Sequence, residues 1–222
     1  MVILSGKALS DVMSEHESLG FPVEGQLCLY FANTALSDRQ RVWLASYPNL
    51  VAWGEQASLL TTAEGDYLRQ EAERRPDDAA VALARAVELR DALLQIFAAI
   101  AAGRAVEAAD LAILNERLAL AQAGRQLVVA AQGFVWAWLP DSGVLDRVLW
   151  PVALAAAELL TAGELTRVKQ CADASCGWLF IDTSRNRSRR WCAMSDCGNR
   201  AKARRFYQRS RSASDPSGES TE

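Results

Sequence analysis

Cys171-Ala-Asp-Ala-Ser-Cys176-Gly-Trp-Leu-Phe-Ile-Asp-Thr-Ser-Arg-Asn-Arg-Ser-Arg-Arg-Trp-Cys192-Ala-Met-Ser-Asp-Cys197 holds four of the chain's five cysteines, as two Cys-x4-Cys pairs fifteen residues apart. Four thiolates close a tetrahedral shell around zinc at about 2.3 Å, and ligands near in sequence let one tight turn present two sulfurs together. Two disulfides or four buried thiols are the alternative. Clustered cysteines in a reducing cytosol serve metals more often than disulfides, and the N-terminus shows no basic segment followed by an apolar run, so the expected compartment is the cytoplasm. A catalytic zinc keeps a coordination position open for water, whereas four cysteines leave none, so the spacing predicts one structural zinc.

The residues between the pairs suit a hairpin, with Trp178-Leu179-Phe180-Ile181 as one strand, 182–187 as the turn and Arg189-Arg190-Trp191 as the return. Trp178 and Trp191 are then expected beneath that hairpin, since a module of roughly 40 residues has little other apolar mass, with stacking on bases as the alternative. Zinc would supply on the order of 10 kcal/mol of its folding free energy.

Charge separates this module from the rest. Residues 1–163 carry 12 Lys and Arg against 20 Asp and Glu, a net −8, while residues 164–211 carry 12 against 4, a net +8. The final eleven residues add three acids, bringing the chain to −3, and their Ser, Asp, Pro, Gly and Glu content predicts a disordered tail over 212–222. The organisation expected is therefore an acidic body over 1–163, a basic zinc module over 164–211, and the tail. After Cys197 a helix-competent run places Arg200 and Arg204 four apart on one face and Arg205 and Arg209 alongside, with Lys202 between and Ala201, Ala203 and Phe206 free to pack inward. Arg185, Arg187, Arg189 and Arg190 form a second basic set in the hairpin. Guanidinium groups on a helix and neighbouring loop suit phosphates and guanine edges, so DNA is the expected partner. Most of these residues would contact phosphate, and Arg200 or Arg204 would read bases. RNA satisfies the same charge pattern. The rival readings are a solvated basic face, or a zinc-stabilised interaction module whose basic face docks on the acidic body or on a partner protein.

The body reads as mainly helical. Gln26 to Thr34 is a compact apolar segment, 49–60 is a short amphipathic helix capped by Asn49, and the segment after Pro76 is a long helix lined by Leu89, Leu93, Ile96, Phe97 and Ile100 up to Gly103. A partner helix over 107–121 presents Leu111, Leu114, Leu118 and Ala121. Around Gln132-Gly133, two β-branched and aromatic runs predict a β-hairpin. Pro140 to Gly143 makes a turn, and residues 144–162 read as a helix in which Pro151 is either a kink or the first turn. The fold class is thus mainly α with one small hairpin, followed by a four-cysteine finger of knuckle, β-hairpin and helix. Asn33-Thr34 reads as a cap or turn, with a pocket as the alternative. Cys28 reads as a core residue, His16 as exposed and inert, and Trp43, Trp53, Trp136, Trp138 and Trp150 as core or pocket lining.

The run from Cys171 to Arg209, above all Cys176 to Cys192 followed by Cys197-Gly198-Asn199-Arg200, closely resembles the CGNR-type zinc finger. That finger occurs in bacterial proteins whose N-terminal part is the ABATE domain. Leu27-Cys28-Leu29-Tyr30-Phe31-Ala32-Asn33-Thr34, Trp53 and Arg85-x4-Arg90-Asp91-Ala92-Leu93 are similar to that domain's pattern, which often has Asp in place of Tyr30. The resemblance implies a largely helical N-terminal domain, bound zinc and DNA binding by a stress-induced transcription regulator. The N-terminal domain is expected to sense a small-molecule ligand or mediate assembly, and the limited specificity of a single small finger suggests a homodimer through that domain. No run is long enough to span a bilayer. With one histidine, no phosphate-binding glycine loop, no G-x-S-x-G and no H-E-x-x-H, an enzyme is not expected.

Overall fold

The computed structural model of the chain describes residues 27–36, 44–131, 133–139 and 143–213. His16, Trp43, the turn residues 140–142 and residues 214–222 of the expected tail lie outside that set.

Helix α1 (Leu27–Asn33) is short and buried on every side, because its sequence is apolar all round rather than striped. Cys28 has no exposed surface, and burial pushes its thiol up to about 12, so it behaves as a small core residue. Tyr30, where the family pattern often has Asp, stacks on Trp53 with ring centroids 5.8 Å apart. Helix α2 (Tyr47–Gln56) starts three residues earlier than Asn49 as a cap suggests and ends at Gln56 rather than 60. Ser46 is its N-cap, and Pro48 occupies the first turn, where a missing N–H costs nothing. Helix α3 (Thr62–Arg74) opens on a capping box in which Thr61 and Glu64 satisfy each other's backbone N–H groups. The sequence reading passed over α3 because only Gly65 and Leu68 on it are buried, too narrow a stripe to register as a period.

Helix α4 (Pro76–Ala101) is the spine of the body. Pro76 sits at its first position, Asp77 and Asp78 offset the positive end of the helix dipole, and Leu89, Leu93, Ile96 and Phe97 are wholly buried along one side. Gly103, at φ +65°, turns the chain out of it. Helix α5 (Ala108–Ala123) runs back against α4. It buries Leu114 and Ala121 and leaves Leu111 exposed, so the expected stripe is narrower than its spacing implied. Strands β1 (Arg125–Ala130) and β2 (Gly133–Trp138) form the expected antiparallel hairpin, with Val128 opposite Val135. Trp136 and Trp138 on it are exposed rather than core, whereas Trp53 and Trp150 are buried. Helix α6 (Leu149–Ala162) begins five residues later than 144, with Pro151 in its first turn and therefore no kink.

Beyond α6, β3 (Val168–Gln170) pairs antiparallel with β4 (Leu179–Ile181), and helix α7 (Asn199–Ala213) closes the described chain. Residues 189–191 are not the partner of 178–181. Lys169 stands opposite Phe180 in that place, and the return segment runs on the other side, where Arg190 O accepts from Ala172 N at 2.9 Å. Helix α7 also extends two residues into the stretch expected to be tail. Val168 and Leu179 lie in the same apolar core as α1, α2, α4 and α6, so the β3–β4 ribbon packs on the body instead of standing off it. No helix among the described residues is long and apolar enough to cross a membrane.

Candidate metal centre

Each cysteine pair is presented by a backbone turn. Cys171 follows β3, and its N–H donates to Trp178 O at 2.8 Å. The chain then doubles back through Asp173, whose carbonyl accepts from Cys176 N at 2.8 Å and from Gly177 N at 3.3 Å. Gly177 takes a φ of +67°, a left-handed turn that a side chain would strain. The second pair spans a single π-helical turn, Met194–Gly198, closed by Gly198 N donating to Ala193 O. The four Sγ atoms gather within 4.8 Å of one another, with Cys176–Cys192 and Cys192–Cys197 both at 3.6 Å. Zinc–sulfur bonds of about 2.3 Å in a tetrahedron require sulfurs about 3.8 Å apart, whereas a disulfide would bring two of them to about 2 Å. All four are free thiols. The donor set and its spacing fit one structural zinc held by Cys171, Cys176, Cys192 and Cys197. Burial, and then the neighbouring sulfurs, push the Cys192 and Cys197 thiols up, to about 11 for Cys197, so a cation is what stabilises their thiolates.

Two buried carboxylates that the sequence reading did not single out organise the surroundings. Asp173 takes Arg204 on Oδ1 at 2.7 Å and Arg200 Nε on Oδ2 at 2.9 Å, and Ser175 donates to it as well. The Arg204 guanidinium, and then Arg200, hold its carboxyl well below the usual carboxylate range against the cost of burial. Arg200 also reaches Asp196 at 2.7 Å and Cys197 Sγ at 3.0 Å, so one side chain ties the start of α7 to both sulfur turns. Asp182 is wholly buried. Burial works to raise its carboxyl, but Lys169 Nζ at 2.7 Å, Ser184 and the Arg189 N–H overcome it and keep it ionised. The readable signals were an acid between two ligands with arginines four apart downstream, and an Asp two residues before a Ser in a turn.

The basic residues thus sort by partner. Arg200 and Arg204 turn to Asp173 and Ala201 is buried as expected, whereas Ala203 and Phe206, expected to pack inward, are exposed. Arg189 is half-buried, donating to the Trp191 and Cys192 carbonyls and lying over the Phe180 ring at 4.9 Å. Arg187 pairs with Glu164 at 2.8 Å. Arg190 lies over Trp191 at 5.5 Å and is otherwise exposed. Arg185, Lys202 and Arg205 are exposed and have no partner among the described residues. Arg209 lies on α7, three residues after Phe206.

Asn33 belongs to the same construction from the other side. Its side-chain amide donates to Leu179 O at 2.9 Å and accepts from Leu179 N at 2.8 Å, pairing with the β4 backbone as a neighbouring strand would. That is neither the cap nor the pocket residue expected from sequence. Thr34 is a local turn residue, its hydroxyl donating to Phe31 O at 2.6 Å.

A family model described as "ABATE: Putative stress-induced transcription regulator" matches residues 25–163. The chain belongs to the ABATE family. In this ABATE chain a second model, the CGNR zinc finger, matches residues 167–210 and contains all four cysteines. Its Cys-Gly-Asn-Arg signature is Cys197-Gly198-Asn199-Arg200, and each member has a local task. Cys197 is a ligand. Gly198 lets the Met194 side chain lie against the turn, since a Cβ would meet its Sδ at 2.4 Å and push that flexible side chain aside. Asn199 donates to Ser195 O at 2.9 Å, and Arg200 joins the sulfur turns to Asp173. No curated protein matches the ABATE chain.

Proposed function

We propose that this ABATE protein is a DNA-binding transcription regulator whose zinc centre holds α7 in place to contact the phosphate backbone. The observation that carries the reading is the division of labour on α7. Arg200 and Arg204 are spent on Asp173, while Lys202 and Arg205, three apart on the opposite side, have no partner among the described residues and face solvent beside the exposed Phe206 and Tyr207. A helix anchored on one face and basic on the other suits insertion against a polyanion, and Arg185 and Arg190 extend the charge. Arg200 and Arg204 are then positioning residues, not base readers. The description of the family supports transcriptional regulation, and the ionic groups support a phosphate ligand.

The competing reading is a protein-interaction module, favoured by the burial of Val168 and Leu179 in the body. In that contact the apolar ribbon is used and the free face of α7 is not, which leaves α7 for another partner.

Fluorescence anisotropy of the zinc-loaded chain against duplex DNA and duplex RNA over a salt series distinguishes these. DNA affinity is expected to fall steeply between about 50 and 200 mM salt, because phosphate contacts release counterions, and to drop with Lys202→Ala/Arg205→Ala. No binding at low salt overturns the reading, and preference for RNA replaces the partner.

A further inference from the structure

The β1–β2 hairpin rises from the end of α5 on a fixed foot. Leu139 N donates to Gly124 O at 2.8 Å, and Trp138 lies on Trp150 with centroids 5.4 Å apart. Above that foot the strands are covered by no other described element. Directly opposed residues of an antiparallel pair share a face, so Leu127 with Trp136 and Val129 with Phe134 stand together on one side. They are exposed by 58%, 53%, 80% and 74% respectively. The only charge on that side is Arg125, and its guanidinium lies over the Trp136 ring at 4.4 Å.

An isolated two-stranded hairpin is marginal in water and needs a second layer to cover its apolar side. With Trp138 at its edge, this one offers about 600 Å² of apolar surface, the upper end of what a monomer exposes in one patch. We propose that this face is a homodimer interface, in which Leu127, Val129, Phe134 and Trp136 of one chain pack on the same four residues of a second copy. The face is self-complementary, since apolar side chains on a two-fold axis need no opposite charge, and its one charge, Arg125, sits at the foot over Trp136. Two copies would bury about 1,200 Å² in total, the lower end of a specific interface. The hairpin meets the body at α5 and α6, while the β3–β4 ribbon packs on α1 and α4. Pairing through the hairpin therefore leaves both copies of α7 uncovered.

Sedimentation equilibrium of the zinc-loaded full chain across micromolar concentrations tests this. The expected result is a particle of twice the 24.2 kDa chain mass. Val129→Lys/Phe134→Glu, which keeps a favourable cross-strand pair, should weaken the dimer at least about a hundredfold with unchanged circular dichroism and zinc content. A monomeric parent protein, or a variant that dimerises as tightly as the parent, overturns the proposal. Should the variant misfold, hydrogen exchange on the parent protein decides. Amides of 125–138 that slow with concentration support the interface, and exchange independent of concentration overturns it. None of these readouts involves nucleic acid, so the inference stands or falls separately from the function proposed above.

Discussion

Asp173 sits two residues after the first zinc ligand, wholly buried, with Arg200 on one carboxylate oxygen and Arg204 on the other. An amide in its place offers one acceptor and loses the charge, so Asp173→Asn should destabilise the zinc-loaded protein by about 1–3 kcal/mol in thermal or urea unfolding. Lys202→Ala/Arg205→Ala, which removes exposed cations, should change stability by less than about 0.5 kcal/mol. Equal losses in the two variants would contradict the division of α7 into an anchored and a free face. At the ligands, Cys192→Ser should abolish the single bound zinc, read by metal analysis. Because burial holds Cys192 and Cys197 protonated without the cation, binding must expel protons. Zinc affinity should then rise with pH and fall from about pH 8 to about pH 6 in a chelator competition, the sign following from proton release. An affinity that does not weaken on acidification would argue against ligation by thiolates.

Among the elements, the four-cysteine spacing, the long α4 and the β1–β2 hairpin were legible because each carries a strong local pattern: equal gaps, a wide apolar stripe, or β-branched and aromatic runs about a turn. The finger's strand pairing was not. Residues 178–181 and 189–191 have the composition of a hairpin, but Asp182 bends the chain between them and β3 supplies the partner strand from before the first cysteine. The facing of α7 was also hidden, since which side turns inward depends on Asp173, which comes to it from another turn. Asn33 gives a sharp test at this scale. Asn33→Ala removes both hydrogen bonds to Leu179, at about 1–3 kcal/mol in urea unfolding. Asn33→Asp keeps the shape but sets a carboxylate oxygen against Leu179 O, and should cost more. An aspartate milder than the alanine would mean that the paired amide contacts are not what holds β4 to α1.

Across the whole molecule, Val168 and Leu179 are part of the body's core, so removing zinc should not be a local event. Chelation is expected to lower the unfolding midpoint of the helical body as well as melting the finger, followed as the far-ultraviolet signal of the full chain. A body transition unmoved by chelation would show that the shared core contributes little. By itself the sequence determined one four-thiolate zinc site, an acidic helical body and a basic C-terminal segment, because ligand spacing, helical period and charge are properties of residues close along the chain. Tertiary structure decided which cations remain free, what Asn33 does and how finger and body share a core. Those depend on Asp173 meeting α7 and on Leu179 meeting Asn33, 146 residues away, and contacts between distant segments leave no period to read.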